Sequence, residues 1–188
     1  PEREPRDTIR LRLQGDTTAW QLTGPQTCAI VTPDHRDDVA ASLGPDPLRR
    51  GANRKAEFVA RLGATRRPIG AVLLDQGVIA GIGNVYRAEL LWICGIHPET
   101  PAASVDAEMA GRLWDHTVAQ LKRGLEWNRI VTVSSEHAAG RVTRRTRRDD
   151  ALYVYKREGL PCRGCGDDIA SMRLGGRTIA YCPTCQAA

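Results

Sequence analysis

The chain has 188 residues, of which 41% are hydrophobic and 26% charged, a composition typical of a folded globular protein with one medium domain or two small ones. Its net charge of +5 favours an anionic partner without identifying one, because a mildly basic solvated surface is the commoner cause of such an excess. We find no run apolar enough to span a membrane and no signal peptide, so we expect a cytoplasmic protein.

The first 32 residues predict short β-strands. Apolar residues alternate with polar ones over 9–14, which is the pattern of a half-buried strand. Two further strand candidates, 20–22 and 27–31, are separated by a Gly-Pro turn. Because three short strands cannot form a comfortable core by themselves, we expect them to be the tail of a β domain whose front is absent.

Two short helices are predicted next. The first covers 33–43 and stops at a Gly-Pro pair. The second covers 53–62, with apolar residues on one face and Gly63 directly after its last turn.

The stretch 67–98 predicts two helices joined by a tight turn. Pro68 suits a first helical position, and three glycines within 77–83 are enough to turn the chain. Asn84 stands where the second helix begins and belongs to the best N-capping residues. This second helix, 85–94, is apolar nearly all round, so we expect it in the interior, and a glycine directly after it supplies the stop.

The start of this second helix is a candidate anion site. A helix start exposed by a glycine turn offers free backbone N–H groups and a partial positive charge. With the amide of Asn84 added, the site can hold one phosphate of a nucleic-acid backbone. The alternative is a buried helical hairpin in which Gly81 and Gly83 only permit close packing.

A longer helix and a basic loop come next. The helix is predicted from Ser104, as its N-cap, to Gly124, and its buried stripe comprises Met109, Leu113, Val118 and Leu121. Residues 134–152 are polar and charged and include five arginines within eight residues: Arg141, Arg144, Arg145, Arg147 and Arg148. Two interpretations of this loop stay open, a solvated flexible segment or a set of phosphate contacts.

Four of the six cysteines form two CxxC pairs with sixteen residues between them: Cys162, Cys165, Cys182 and Cys185. This spacing is typical of a zinc site with four thiolate ligands. The segment between the pairs is too short to bury a core, so metal binding would supply its folding energy. We therefore predict one structural zinc ion. Redox-active pairs are the alternative, which the absence of a thioredoxin-like βαβ pattern disfavours.

The remaining features concern single residues near these motifs. Cys28 and Cys94 lie among apolar neighbours, and we expect both thiols to be buried and inert. Between the cysteine pairs, two short strands flank a Gly-Gly turn and predict a β-hairpin over 169–181. Arg177 begins the second strand, and by sequence alone it is an ordinary exposed arginine.

Several segments, taken together, resemble the formamidopyrimidine-DNA glycosylase and endonuclease VIII family of base-excision repair enzymes. They are LGPDPL at 43–48, DQGVIAGIGNVYRAELL at 75–91, YVYKREGLPC at 153–162 and GRTIAYCPTCQ at 176–186. They occur in the family's order and cover most of the chain. The segment around Asn84 leans toward the endonuclease VIII side of the family.

The resemblance implies a fold, a partner and two contacts with it. The fold is mixed α+β, with the end of an N-terminal β-sandwich at 1–42, a helix–two-turn–helix domain at 43–152 and a zinc β-hairpin at 153–188. The partner is damaged double-stranded DNA, bound by a monomer. In the family, the Asn matching Asn84 contacts the phosphate beside the lesion, and the Arg matching Arg177 shares that phosphate.

The resemblance also implies chemistry, which this chain carries incompletely. Family members use an N-terminal proline as the nucleophile that attacks the sugar C1′, and a glutamate as the acid. The chain begins Pro1-Glu2, but a strand follows instead of the family's long helix, and no loop lysine can be matched. We therefore expect the catalytic region to be absent and assign no catalytic residue. Two functions follow: the DNA-binding part of a glycosylase and AP lyase for oxidised bases, or a non-catalytic nucleic-acid-binding module with a structural zinc.

Overall fold

A computed structural model describes residues 7–25, 28–138 and 140–187. The chain divides into two compact units, 1–41 and 42–188. The mixed α+β architecture predicted from the sequence is confirmed, with two small antiparallel sheets and a helical centre. No helix in the described part of the chain combines the length and apolar character needed to cross a membrane.

The first unit contains a β-hairpin and a helix. Strand β1 (Ile9–Gln14) pairs with β2 (Ala19–Thr23), with Leu13 opposite Trp20. Helix α1 (Pro33–Ser42) follows and buries none of its residues. The third strand predicted at 27–31 is wrong for 28–31, which form no regular element, while Thr27 lies outside the described residues.

The second unit holds the hydrophobic core. Its elements are α2 (Arg54–Gly63), α3 (Ile69–Val72), α4 (Asn84–Ile93), α5 (Ala107–Trp127), β3 (Ala170–Leu174) and β4 (Arg177–Tyr181). The core is built where α2, α4 and α5 meet, and β4 packs on α4. Its fully buried side chains include Phe58, Leu90, Leu91, Leu113 and Ile179.

Side chains, rather than glycines alone, build the turn between α3 and α4. The carboxylate of Asp75 accepts from the N–H of Gly77 at 3.0 Å. The Gln76 amide accepts from the Gly81 N–H at 2.9 Å and donates to the Ile82 carbonyl at 3.0 Å. Gly81 has φ +89°, which explains a glycine there, but a Cβ at Gly81 would meet no atom within 4 Å. Gly81 is therefore needed for its backbone conformation and not to permit close packing.

Three predicted helix boundaries are wrong, each because a different residue caps the helix or continues it. Gly83, in extended conformation, precedes α4, and Asn84 is the first helical residue without a capping bond. The carboxylate of Asp106, not Ser104, caps α5 by accepting from the Met109 N–H at 2.7 Å. Helix α5 also passes through Gly124 and ends at Trp127.

The C-terminal β-hairpin is confirmed. Strands β3 and β4 are antiparallel, with Leu174 opposite Arg177 across the Gly-Gly turn. Ile179 and Ala180 are buried, while Arg177 and Thr178 at the turn end are exposed. The hairpin is therefore anchored in the core through its far end, and the side chains of Arg177 and Thr178 stay accessible beside its turn.

Candidate nucleic-acid interface and metal centre

The first residue of α4 lies against the start of β4. The Asn84 side-chain N–H2 group donates to the Thr178 carbonyl at 3.1 Å, joining positions 94 residues apart. This bond fixes the orientation of the amide, because only nitrogen can donate to a carbonyl. Asn84 is thus adjacent in space to Arg177, as a shared binding site for one phosphate requires. Its Oδ1 is buried without a partner among the described residues.

The amino end of α4 has unused hydrogen-bond donors. The first intrahelical bond runs from the Arg87 N–H to the Gly83 carbonyl at 3.0 Å. Within the described part of the chain, the backbone N–H groups of residues 84–86 have no acceptor. Such N–H groups, with the helix dipole behind them, favour a bound anion.

Arg87 is fully buried and holds the hairpin turn against the helices. Its Nη1 donates to the carbonyls of Gly70 at 2.8 Å and Leu174 at 3.1 Å. Its Nη2 donates to the carbonyls of Arg177 and Thr178, both at 3.3 Å. One guanidinium therefore connects α3, α4 and both sides of the β-hairpin turn.

Arg87 and Arg177 form a pair of neighbouring positive charges. Burial, and secondarily the charge of Arg177, lowers the pKa of Arg87 to about 10. The side chain of Arg177 is exposed and has no hydrogen-bond or ion-pair partner among the residues that the structure describes. An anion beside Arg177 would relieve this repulsion.

Glu89, two residues further along α4, organises the segment that leads to the cysteines. Its fully buried carboxylate accepts from the backbone N–H groups of Tyr153 at 2.7 Å, Val154 at 2.9 Å and Tyr155 at 2.8 Å, and from the hydroxyl of Thr132. Four donors satisfy this buried charge, which would otherwise be costly. The carboxylate therefore pins both ends of the loop between α5 and the cysteines to α4.

Sequence reasoning missed Arg87 and Glu89. It described α4 as apolar nearly all round, whereas both charged residues point into the interior. Two charged residues in an otherwise apolar helix were the available signal. A charged side chain is buried only where hydrogen-bonding or charged partners compensate it, so their presence indicated polar contacts in the interior.

The four predicted cysteines converge. Their sulfur atoms all lie within 4.8 Å of one another. The distance between the Sγ atoms of Cys162 and Cys185 is 3.8 Å, and that between Cys165 and Cys182 is 3.5 Å. A tetrahedral zinc ion with Zn–S bonds of about 2.3 Å needs sulfurs about 3.8 Å apart. The residues therefore fit one zinc ion, and four thiolates complete its coordination as in structural sites.

Backbone hydrogen-bond donors surround the sulfur of Cys162. Burial alone would raise the pKa of Cys162, but backbone N–H groups of Cys165 and Gly164 outweigh burial and lower the pKa to about 7. Trp92 stacks on Tyr153 with ring centroids 3.8 Å apart, and its ring lies against Gly164, between the first two cysteines.

Gln186 attaches the cysteine cluster to the helical part. Its buried amide accepts from the Cys182 N–H at 2.9 Å and donates to the Ile96 carbonyl, just after α4, at 2.8 Å. A glutamine after the last cysteine carries no sequence signal of this role, because its partner lies 90 residues away.

The other predicted features have mixed outcomes. Cys94 is only partly buried, and this burial raises the pKa of its thiol to about 11, in line with an inert thiol. Cys28 is exposed, so the prediction of a buried thiol is wrong there. The lone thiol of Cys28 lies in a segment without regular structure, which leaves nothing to cover it. The arginines of the basic loop are all exposed, and none forms an ion pair within the described residues: Arg141, Arg144, Arg145, Arg147 and Arg148. Pro1 and Glu2 lie outside the described residues.

Comparisons with known proteins agree on one family. Residues 43–135 match the formamidopyrimidine-DNA glycosylase H2TH domain, and 159–188 match the zinc finger found in FPG and IleRS. A protein named Endonuclease 8 1 from Mycobacterium tuberculosis (strain H37Rv) is 41% identical over 183 residues, which are 97% of this chain and 68% of that protein.

Solved structures give the same result. The MutM (Fpg) protein of Thermus thermophilus has a TM-score of 0.70 at 31% identity, covering 97% of this chain and 70% of that chain. Lactococcus lactis Fpg in complex with DNA containing an abasic site has a TM-score of 0.65 at 25% identity. That match covers 84% of this chain and 57% of the Fpg chain.

Proposed function

Because the chain belongs to the formamidopyrimidine-DNA glycosylase and endonuclease VIII family, we propose that it is the DNA-gripping part of a base-excision repair glycosylase and AP lyase for oxidised bases. It would act as a monomer on damaged double-stranded DNA. Asn84 and Arg177 would bind the same backbone phosphate, one from a helix start and the other from a zinc-stabilised hairpin.

The hydrogen bond from Asn84 to the Thr178 carbonyl carries this proposal. One amide hydrogen of Asn84 is used by that bond, which leaves the second for a phosphate oxygen. The free N–H groups at the start of α4 point in the same direction as the helix dipole and favour the same anion. The planar guanidinium of Arg177 can donate two parallel hydrogen bonds to one phosphate group.

Buried Arg87 supports the proposal electrostatically. It adds a second positive charge behind Arg177 and bonds to the carbonyls of Arg177 and Thr178, so the positive site is rigid as well as charged. A pre-positioned site loses less conformational entropy on binding than a mobile one. Phosphate contacts position a protein on DNA without reading sequence, as a lesion-scanning protein needs.

The zinc ion would have a structural role. Four thiolates fill its coordination, so it stabilises the hairpin that presents Arg177. In the family the nucleophile is an N-terminal proline amine. We assign it to no residue of this chain, whose first residues lack the long helix that follows that proline in the family.

Binding of duplex DNA with an abasic site tests the proposed phosphate clamp. We expect Arg177→Ala to weaken binding roughly tenfold or more, because it removes a charge-assisted hydrogen bond worth about 1.5–3 kcal/mol, and to reduce the salt dependence by about one ion. Asn84→Ala should weaken binding less. Arg112→Ala, which removes an arginine from the partly exposed face of α5, is the charge-matched control. Unchanged affinity in both variants at moderate salt would refute the clamp.

Borohydride trapping separates the glycosylase from a non-catalytic nucleic-acid-binding module. Only a Schiff base between protein and the sugar C1′ becomes covalent on reduction. Trapping that Pro1→Gly abolishes would assign the nucleophile to this chain. If DNA binds through Asn84 and Arg177 without any trapping, this chain by itself is the binding module.

A further inference from the structure

A groove whose lining residues all lie before residue 123, and so outside the zinc hairpin, combines an apolar floor with a basic rim. It lies between α2, α5 and the loop 47–53, and its cavity volume is about 970 Å³. We call it the α2–α5 groove. The volume is at the upper end of that of small-molecule sites, enough for several side chains of a ligand.

The floor of the groove is aliphatic. It includes Val59 and Val118, both partly buried, and Leu48, which is 40% exposed. Trp114 also contributes, but only 7% of it is exposed, and its ring packs on Phe58 with centroids 5.5 Å apart. The floor therefore offers apolar surface without an exposed aromatic face.

The rim carries five cations, of which two are paired within the chain. Arg49 pairs with Asp46 at 3.5 Å, and Lys55 pairs with Asp115 at 2.6 Å. The other three have no ion pair among the described residues: Arg50, Arg54 and Lys122. The Nε of Arg54 is also buried without an acceptor. The rim thus keeps an uncompensated positive charge around an apolar floor.

We propose that the α2–α5 groove docks an acidic segment of a partner protein whose carboxylates flank bulky aliphatic side chains. The aliphatic side chains would cover the floor that Leu48 and Val118 expose, while the carboxylates would pair with Arg50, Arg54 and Lys122. Such a segment would bury the apolar floor and neutralise the charge of the basic rim at the same time.

The observations favour a peptide over a nucleic acid. Single-stranded nucleic acids bind where exposed aromatic rings stack on bases, and Trp114 is covered by Phe58. A duplex backbone presents phosphates and sugars, which would pair with the rim but leave the aliphatic floor without a partner. The groove shares no lining residue with the Asn84 and Arg177 clamp, so the proposal does not depend on the proposed phosphate contacts.

A binding assay on the full chain tests the proposal. The probe is a short fluorescein-labelled peptide in which aspartate alternates with leucine, and its comparison peptide replaces leucine by serine. We expect the aspartate–leucine peptide to bind more tightly, and its affinity to fall roughly fivefold in the double variant Arg50→Gln, Lys122→Gln, because two exposed ion pairs are lost. Leu48→Ser should reduce the preference for leucine over serine.

A matched control removes the same charge elsewhere. The double variant Arg66→Gln, Arg173→Gln lowers the net charge equally at exposed positions outside the groove and should leave peptide affinity unchanged. Equal losses in both double variants would reduce the effect to general electrostatics and overturn the proposal. Loss of oligo-dT binding, but not of peptide binding, in the groove variant would assign the groove to nucleic acid instead. Self-association of the chain that the groove variant abolishes would assign it to a second copy.

Discussion

At the residue scale, the interior of α4 depends on two charged side chains that meet different kinds of partner. Arg87 donates to four carbonyls and has no carboxylate beside it among the described residues, whereas Glu89 accepts from three backbone N–H groups and one hydroxyl. Most partners of Arg87 lie on the turn of the zinc hairpin, and most of those of Glu89 on the segment before the cysteines. Together they join the C-terminal part of the chain to one helix.

Replacing Arg87 tests its contribution to stability. Arg87→Met roughly keeps the volume but leaves buried carbonyls without donors, so we expect the free energy of unfolding to fall by about 2–4 kcal/mol. Arg87→Lys should recover only part of this loss, because an ammonium is a point donor and cannot span four carbonyls. Urea denaturation measures both. Arg173→Met, exposed on β3, should change stability by no more than about 0.5 kcal/mol. If Arg87→Met had the same free energy of unfolding as the wild-type protein, other donors would have to replace the guanidinium.

Replacing Glu89 by its neutral isostere tests the second contact. In Glu89→Gln, an N–H2 group faces backbone N–H donors, so at least one of them loses its acceptor. We expect a loss of about 2–3 kcal/mol in thermal or urea unfolding, and faster amide exchange at Tyr153 and Tyr155. Glu108→Gln, on the exposed face of α5, is the control and should be nearly neutral. Protection of these amides at the wild-type level would contradict the assignment.

At the element scale, the close packing of α4 on α5 depends on a glycine, Gly124, which has no side chain. A Cβ at Gly124 would lie 2.1 Å from the Tyr86 hydroxyl oxygen and 3.4 Å from the ring carbon that bears it. Gly124, which the sequence suggested as the end of α5, therefore lies inside the helix, at the point where the helix backbone approaches Tyr86. Leu121, three residues earlier on the same face of α5, belongs to the core, so the packed face of the helix extends as far as Gly124.

A double-mutant cycle tests this close approach. Gly124→Ala alone should destabilise the protein by about 1–3 kcal/mol through the clash with the Tyr86 hydroxyl. Tyr86→Phe alone should be nearly neutral, since its hydroxyl makes only a long bond of 3.4 Å to the Gln120 carbonyl. Combined, Gly124→Ala and Tyr86→Phe should be at least as stable as Tyr86→Phe, because alanine is better than glycine in a helix by about 1 kcal/mol. Additive losses would show that the clash is relieved in another way.

At the scale of the whole molecule, the helices and the zinc hairpin share one hydrophobic core, and the hairpin also carries the metal site. The helices supply most of the core, whereas the hairpin adds Ile169, Ile179 and Ala180 to it and holds the four cysteines. The hairpin presents Arg177 to the start of α4. The proposed DNA site therefore depends on both parts, although only one of them needs metal.

Removing zinc with a chelator tests this division. Metal analysis of the native protein should find one zinc ion per chain. After chelation, we expect the helical circular dichroism to persist, because α2, α4 and α5 keep their core, while the hairpin resonances broaden and DNA affinity falls by at least roughly tenfold. Adding zinc back should restore both. An intact hairpin with unchanged DNA affinity after zinc removal would refute a folding role for the metal.

The sequence by itself determined the local features whose causes lie within a few residues. Cysteine spacing predicts the zinc site, the Gly-Gly pair the hairpin turn, and the glycines around Asn84 the helical hairpin, because turn chemistry and ligand geometry are short-range. The long resemblance to one repair family came from these same segments.

Only the tertiary structure decided what the buried polar groups contact. Asn84 donates to the Thr178 carbonyl instead of capping its helix, and Arg87, Glu89 and Gln186 find partners as far as 91 residues away. Periodicity indicates which face of a helix is buried, but it holds no information about the groups that meet that face. These long-range hydrogen bonds form because unpaired polar groups are costly in the interior, and the packing of distant segments selects their partners.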